Sequence, residues 1–264
     1  MMYTFNYHRP DSLEEASSLF DGAEDPVFLA GGHTLLPAMK QRLQAPSDVI
    51  DLGSVPGLSG IAVTDDAVTI GALTAHADVA ESEALQAALP ALAALAGGIG
   101  DAQVRNRGTI GGSVANADPA ADYPAALVGL GATVVTNRRE IVADDFFTGM
   151  FETALEPGEL LTAVRFPRGG RSAYAKFPNP ASRYAMTGVF VASTDAGVRV
   201  AVTGAAASVF RFAEMESALA GDLSGDAIAG MEPAADDLLS DMHASAEYRA
   251  NLVNVMAQRA VASL

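Results

Sequence analysis

The sequence has 264 residues and a formal net charge of −16, with 32 acidic and 16 basic residues, and 50% of its residues are hydrophobic. This is the composition of a globular protein with a sizeable core, and its negative charge argues against nucleic acid and anionic membranes as partners. Because the chain contains no cysteine, it holds no disulfides, zinc–thiolate sites or iron–sulfur clusters of its own.

The beginning of the sequence, MMYTFNYHRP, lacks the apolar core of a signal peptide. No apolar run reaches the roughly 18 residues that a membrane-spanning helix needs. We therefore expect a cytoplasmic location without membrane insertion, although a subunit can also be exported together with a partner that carries a signal.

Residues 1–55 predict a small β–loop–α–β unit, which we take as a first domain. Apolar residues at helical spacing follow a capping Asp11 or Ser12, and short apolar runs mark the strands. The predicted elements are a helix over 11–20, a strand over 27–30, a helix over 34–43 and a strand over 49–52.

Residues 56–168 predict a second domain that mixes hairpins with helices. Asp65-Asp66 between two apolar runs is a hairpin signal. The predicted elements are strands over 61–63, 68–70, 132–136 and 160–166 and helices over 75–81, 89–96 and 123–130. Because strands and helices do not alternate strictly, we assign the α+β class rather than a doubly wound fold.

The segment Pro167-Arg168-Gly169-Gly170 indicates a boundary before a third domain, residues 169–264. Strands are predicted over 173–177, 189–192 and 198–202, and helices over 212–219 and 245–261. Tyr248, Leu252 and Met256 share one stripe of the last helix, which is typical of a helix that packs on a core.

The first candidate binding feature is the segment LAGGHTL, residues 29–35, between a predicted strand and a predicted helix. Gly31 and Gly32 let the chain turn and bring main-chain N–H groups near a ligand, and a helix N-terminus favours negative charge. These properties suit a phosphate oxygen. For an isolated Gly-Gly pair, a plain tight turn is an equally good explanation.

The second feature, residues 97–116, is the densest glycine region of the chain. Glycine costs about 0.5–1 kcal/mol relative to alanine inside regular structure, so close approach to a ligand explains the cluster better than a simple connector does. Ser113 and Asn116 add hydrogen-bonding side chains. Asp122 is a further acceptor for a ligand, with capping of the helix that begins at Tyr123 as the alternative role.

Several common sites are excluded. Gly98-Ile99-Gly100 is followed by Gln103 where a dinucleotide-binding Rossmann motif needs glycine, and the chain has no P-loop. The histidines lack metal-ligand spacing, and there is no nucleophile elbow or cysteine nucleophile. We therefore predict neither a catalytic residue nor a metal site in this chain.

Charged and aromatic residues near these features have simpler explanations. Arg105 and Arg107 suit a pyrophosphate or a partner protein, but ion pairs within this acid-rich chain are the preferred interpretation. Tyr184 and Phe177 suit stacking on a flat ring, but core packing is preferred for each. For His33 we expect the backbone rather than the imidazole to matter.

Taken together, the segments AGGHTLLPAMK and DAQVRNRGTIGGSVANADPAADYPAAL resemble the FAD-binding medium subunit of molybdenum hydroxylases. The opening FNYHRPDSLEEA, the middle TIGALTAH and the closing ASAEYRANLV extend the resemblance over nearly the whole chain. The likeness is greatest to carbon monoxide dehydrogenase medium subunits and includes the FAD subunits of xanthine dehydrogenases. It implies the two-subdomain FAD-binding fold of the vanillyl-alcohol oxidase type, followed by a small C-terminal antiparallel sheet with helices.

The resemblance also implies the cofactor-binding residues. The first pyrophosphate loop comprises Ala30, Gly31, Gly32, His33, Thr34 and Leu35. The second comprises Thr109, Ile110, Gly111, Gly112 and Ser113. Polar positions beside the cofactor are Asn116 and Asp122, and positions near the flavin or adenine are Ile99, Leu161 and Lys176.

Partners follow from the same resemblance. An iron–sulfur small subunit with two [2Fe–2S] clusters would pass electrons to FAD from a large subunit that carries the molybdopterin cofactor. FAD would then reduce a quinone, an NAD-type acceptor or another acceptor. One alternative is a self-sufficient flavin oxidase or reductase of the same fold, although the chain offers no clear substrate base. Another is a non-catalytic relative that keeps the fold as an assembly module, although the intact glycine loops argue against it.

Overall fold

The computed structural model describes residues 2–264. The strands, in chain order, are β1 (Asn6–His8), β2 (Pro26–Leu29), β3 (Asp48–Asp51), β4 (Ile61–Val63), β5 (Ala67–Gly71), β6 (Thr133–Thr136), β7 (Glu140–Val142), β8 (Phe147–Gly149), β9 (Glu152–Thr153), β10 (Leu161–Pro167), β11 (Arg171–Pro178), β12 (Ala185–Thr194), β13 (Gly197–Thr203) and β14 (Phe210–Arg211). The α-helices, in chain order, are α1 (Leu13–Asp21), α2 (Leu35–Lys40), α3 (His76–Glu81), α4 (Glu83–Ala88), α5 (Pro90–Gly97), α6 (Ala102–Arg105), α7 (Ile110–Asn116), α8 (Tyr123–Leu130), α9 (Ala143–Phe146), α10 (Ala213–Gly221) and α11 (Ala246–Val261).

A three-stranded parallel sheet, in the order β1–β3–β2, begins the fold. Ser12 caps α1 by accepting from the Glu15 amide, and Ala16 of α1 shares a small core with Ile50 of β3. The predicted β–loop–α–β unit is present, but β1 was not predicted. Its sequence Asn-Tyr-His has no apolar run, so pairing with β3 rather than local preference makes it a strand.

A five-stranded antiparallel sheet, in the order β4–β5–β10–β6–β7, forms the middle of the molecule. The predicted hairpin is confirmed as the antiparallel pair β4–β5. Helix α8 has the predicted bounds and is buried along its whole length, because it lies between this sheet's core and the next sheet. This mixture of parallel and antiparallel sheets confirms the α+β class.

A four-stranded antiparallel sheet, in the order β11–β12–β13–β14, follows. Side chains of β12 alternate between two cores. Phe190 and Ala192 join the core that contains α8, whereas Val189 and Val191 join the core under α10 and α11. With both faces covered, β12 is an unbroken buried run over most of its length.

Arg249 of α11 links this helix to the ends of two strands of the sheet. It is 4% exposed, and its guanidinium donates to Met186 O at 2.5 Å, to Gly204 O at 2.8 Å and to the Asp241 carboxylate at 2.7 Å. The Gly204 amide in turn donates to Pro119 O at 2.8 Å. The last helix is therefore linked through two strand ends to the segment that leads into α8.

The glycine-rich region differs most from its prediction. The sequence predicts a loop there, but residues 110–116 form the helix α7, with Thr109 as N-cap. Helix α2 ends at Lys40, earlier than predicted. The remaining unpredicted elements are all short, namely β7, β8, β9, β14, α4, α6 and α9. Short elements of this kind depend on tertiary contacts and leave little local pattern.

Candidate functional site

A cleft of about 790 Å³ opens between the first loop, residues 30–35, and the second loop, residues 108–113. Its walls also include residues 155–161 before β10 and residues 182–184 before β12. The sequence-predicted residues that line it are Ala30, Gly31, Gly32, His33, Thr34, Leu35, Ile99, Thr109, Gly111, Gly112, Ser113, Asn116, Asp122 and Leu161.

Two predicted residues lie behind the wall rather than in it. Ile110 is fully buried in the core, and its amide donates to Thr74 O at 3.1 Å. Lys176 does not line the cleft, but its Nζ lies 2.9 Å from Oδ1 of Asp122, which does. Lys176 therefore acts on the cleft through Asp122.

The first loop presents unpartnered main-chain donors. Within residues 2–264, no acceptor receives a hydrogen bond from the amides of residues 32–35. Gly32 has a φ of +77°, a left-handed conformation that favours glycine, and its carbonyl accepts from the Leu36 amide at 3.0 Å. Residues 32–35 also line the cleft, and unpartnered main-chain donors at the start of a helix are suited to bind an anion.

The second loop has most of its main-chain donors engaged within the protein, and of residues 108–113 only the Thr109 amide has no acceptor within residues 2–264. The Gly111 amide donates to Ala72 O at 2.8 Å, the Ser113 amide to Thr109 O at 3.0 Å and the Gly112 amide to Thr109 Oγ1 at 3.2 Å. A Cβ atom on Gly111 would lie 2.5 Å from the Cβ of Ala72. Close approach of protein to protein, rather than of ligand to protein, is thus what requires glycine at position 111.

The two loops are in direct contact. A Cβ atom on Gly31 would lie 1.9 Å from Arg107 O, so only glycine permits this approach. His33 Nε2 lies 3.1 Å from Gln103 O, which adds a side-chain link between the same two regions. The His33 imidazole therefore has a role that sequence reasoning assigned only to its backbone.

Asp122 is the best-defined polar group in the cleft wall. It is 4% exposed and accepts a 2.6 Å hydrogen bond from the Tyr174 hydroxyl, besides its ion pair with Lys176. Burial raises the pKa of Asp122, while the Lys176 charge and the Tyr174 hydrogen bond oppose that rise. Its side chain makes no capping bond to α8, so helix capping does not explain this residue.

The structure gives different outcomes for the predictions on Tyr184, Phe177 and Arg105. Tyr184 is 46% exposed and lines the cleft, so its predicted packing in the core is wrong. Phe177, in contrast, packs against the core under α11. Arg105 has no ion pair within the described part of the chain; instead it donates to Ile99 O and Gly100 O and holds the turn before α6.

His76 lines the cleft although sequence reasoning did not select it. It begins α3, and its amide donates to Gly108 O at 3.0 Å. The two residues are far apart in the chain, so no local spacing marks them as neighbours. The only sequence signal was the family-like segment TIGALTAH, which ends at this residue.

The described residues, 2–264, offer neither of two other kinds of feature. No group of three or more histidine, aspartate or glutamate side chains among them is arranged to hold a metal ion. None of the helices that the structure describes is both long and apolar enough to cross a membrane.

Comparison with known proteins returns subunits of redox enzymes. Residues 3–169 match the family described as FAD binding domain in molybdopterin dehydrogenase. The nicotine 6-hydroxylase medium subunit of Paenarthrobacter nicotinovorans is 39% identical over 97% of this chain and 95% of that protein. The carbon monoxide dehydrogenase medium chain of Hydrogenophaga pseudoflava is 36% identical over 97% and 96% of the two chains. In the structure of reconstituted CO dehydrogenase from Oligotropha carboxidovorans, the matching chain gives a TM-score of 0.90 at 34% identity, covering 99% of this chain and 98% of that one.

Proposed function

Because this chain belongs to the FAD-binding family of molybdopterin dehydrogenases, we propose that the cleft between its two loops holds one molecule of FAD. The chain is the FAD-carrying subunit of a molybdenum hydroxylase and has the fold of a carbon monoxide dehydrogenase medium subunit. It is therefore an oxidoreductase subunit, and oxidation of the substrate takes place in a partner subunit.

The observation that carries this placement is the row of unpartnered amides at residues 32–35. A pyrophosphate brings negative charge to a chain whose net charge is already −16, so bulk attraction is missing and local donors must hold it. Main-chain N–H groups are suitable because they supply partial positive charge without any lysine. The volume of the cleft falls within the usual range for cofactor sites, about 300–1,000 Å³.

The second loop contributes shape and side chains. Its amides other than that of Thr109 are occupied within the protein, so we assign its glycines to the close packing that lets the two loops form one wall. Ser113 and Asn116 offer a hydroxyl and an amide at the cleft, and Asp122 offers an acceptor oriented by Tyr174 and Lys176. We propose the lining residues Ala30, Gly31, Gly32, His33, Thr34, Leu35, Ile99, Thr109, Gly111, Gly112, Ser113, Asn116, Asp122 and Leu161 as FAD contacts.

Bound FAD supplies the redox chemistry, and this chain binds and orients it. Relatives of the chain are medium subunits or FAD subunits of multi-subunit enzymes. We propose an iron–sulfur small subunit as the electron donor, a molybdopterin-containing large subunit as the site of substrate oxidation, and a quinone or NAD-type acceptor. We propose the cytoplasm as the location of the complex.

We propose the units 1–55, 56–168 and 169–264 as domains. The three larger sheets and the three apolar cores support this division. Phe190 of β12 joins the middle core, so the third unit is packed on the second rather than joined to it by a free linker.

The function is tested on the purified complex and on the chain alone. We expect one FAD per chain, and flavin that is bleached by an oxidisable substrate in the complex but not in the isolated chain. Bleaching of the isolated chain by a small substrate would favour a self-sufficient oxidase or reductase instead. A colourless chain that fails to take up added FAD would contradict the proposal.

A further inference from the structure

His76 lies at the junction of the two loops. It is 4% exposed, yet it lines the cleft. A Cβ atom on Gly108 would lie 2.6 Å from His76 Nε2, so glycine at position 108 leaves room for the imidazole. Gly108 in turn meets the first loop, because a Cβ atom on Gly31 would lie 3.0 Å from the Gly108 Cα.

The other ring nitrogen of His76 has a buried partner. The Tyr123 hydroxyl lies 3.3 Å from His76 Nδ1, and Tyr123 is fully buried. Burial raises the pKa of Tyr123, so its hydroxyl keeps its proton and needs an acceptor. Since His76 Nδ1 is the partner of that hydroxyl, we assign the proton of the neutral imidazole to Nε2.

The Nε2–H group has no partner of its own within residues 2–264. Among the described residues, the unpartnered side-chain nitrogens that are fully enclosed are Arg199 Nε and Arg249 Nε. His76 Nε2 is unpartnered but not enclosed, and because the residue lines the cleft, we take the cleft as the space that this nitrogen reaches. Buried polar groups normally have a hydrogen-bond partner, so the His76 Nε2–H group, which Tyr123 orients, is suited to bind an acceptor that enters the cleft.

We propose that His76 donates a hydrogen bond from Nε2 to an oxygen in the pyrophosphate–ribityl part of FAD. This inference rests on the placement of FAD in the cleft. Tyr123 is the positioning residue, because it fixes the tautomer without reaching the cofactor. Gly108 provides the space that the ring requires.

The electrostatics agree with this role. Burial, helped by the charges of His33 and Arg105, lowers the pKa of His76 to about 4. The ring is therefore a neutral donor at neutral pH. A neutral imidazole can donate a hydrogen bond to FAD, and it avoids the free-energy cost of an unpaired cation in the protein interior.

The test measures FAD affinity of the full-length chain after removal and titration of the flavin, followed by flavin fluorescence. His76→Phe keeps a ring of similar size and removes the donor; we expect binding weaker by about 10- to 100-fold, the loss typical of a hydrogen bond to a charged group. His76→Gln supplies an amide donor and restores part of the affinity. Tyr123→Phe, which frees the tautomer, gives a smaller loss than His76→Phe.

Controls separate this proposal from its premise and from misfolding. His243→Phe alters an exposed histidine outside the cleft and should bind FAD like the unaltered chain. Thermal melting of each flavin-free variant identifies any general loss of structure. Failure of the unaltered chain to bind FAD would contradict the proposed function. Unchanged FAD affinity in a well-folded His76→Phe variant would contradict only the role of His76. Equal losses in His76→Phe and His76→Gln would also overturn it.

Part-ligands locate the acceptor. If the pyrophosphate accepts the bond, His76→Phe weakens ADP binding in parallel with FAD binding. If a ribityl hydroxyl accepts it, riboflavin binding weakens instead. A variant that weakens FAD binding but neither part-ligand would place the effect of His76 outside this region and contradict the proposal.

Discussion

The first and second loops both carry paired glycines, but they use them differently. In the first loop, Gly32 adopts a left-handed turn, and the amides of residues 32–35 remain without partners. In the second loop, the amides of residues 110–113 bond within the protein, and Gly111 allows close packing on Ala72. One loop thus offers donors, and the other builds the wall beside them.

This difference shows that a glycine cluster does not by itself identify a ligand contact. A glycine is needed wherever a Cβ atom would collide, and the colliding atom can belong to the protein as well as to a cofactor. In this cleft, Gly31 faces Arg107 O and Gly108 faces the His76 ring. Affinity and stability should therefore respond differently to changes at neighbouring glycines.

Gly31→Ala should have the largest effect. Its Cβ would lie 1.9 Å from Arg107 O, so the two loops must separate, and we expect a loss of about 3 kcal/mol or more in unfolding free energy together with loss of FAD. Denaturant unfolding and flavin content measure both effects. Gly22→Ala, where the nearest atom is Ser18 O at 3.4 Å, is the matched control. Equal stability of the two variants would show that the loops need not touch.

Gly111→Ala and Gly112→Ala form a pair that divides stability from binding. At position 111 the new Cβ meets Ala72 Cβ at 2.5 Å, and we expect the flavin-free chain to lose about 1–3 kcal/mol. At position 112 it meets the side-chain oxygen of Thr109 at 2.9 Å, at the surface of the cleft, so FAD affinity should fall more than stability. Unfolding curves and FAD titrations compare them, and the reverse order of effects would refute our assignment.

The pH dependence of the unfolding free energy tests the burial of His76, which packs against Gly108 of the second loop. Its pKa falls from the ordinary 6.5 to about 4 in the folded chain, so between these values the unfolded chain binds a proton that the folded chain does not. Stability should therefore rise with pH across this window and be lost as the solution is acidified. Denaturant unfolding at several pH values measures the slope. His76→Gln should flatten it, and an undiminished slope would assign the effect to another group.

The smallest effect is expected for Gly97→Ala. Gly97 is the last residue of α5 and lies outside the cleft lining, and the nearest atom to an added Cβ is Ala80 Cβ at 3.8 Å. We expect stability to change by less than about 1 kcal/mol, in the favourable direction, because alanine lowers the entropy of the unfolded chain. FAD content should be unchanged. A clear loss of flavin would mean that the binding region extends beyond the residues that line the cleft.

Sequence reasoning succeeded where a pattern was local or where a family resemblance applied. The apolar run of α8 and the Asp65-Asp66 hairpin were predicted correctly, and the resemblance identified the family and the cofactor. It missed β1, which depends on pairing with a strand about forty residues away. It also missed α7, because glycine has low helix propensity, and the Thr109 cap and the tertiary contacts with Thr74 and Ala72 that support this helix are not marked in the local sequence.

Within the cleft, the sequence does not reveal which residues contact one another. Nothing in the spacing of Asp122, Tyr174 and Lys176 indicates that they form one hydrogen-bonded group. Likewise, Tyr184 was expected in the core, since aromatic residues usually pack there, but it follows a turn that places it at the cleft. Long-range packing decides both cases.

The hydrogen bonds made by Arg249 connect the cleft to a distant helix. Because this residue holds the ends of two strands, and one of these ends is bonded to Pro119 beside the cleft, part of the cleft wall is secured only while α11 is docked on the sheet. No residue of α11 lines the cleft, yet undocking of this helix should loosen the wall and speed the escape of bound flavin.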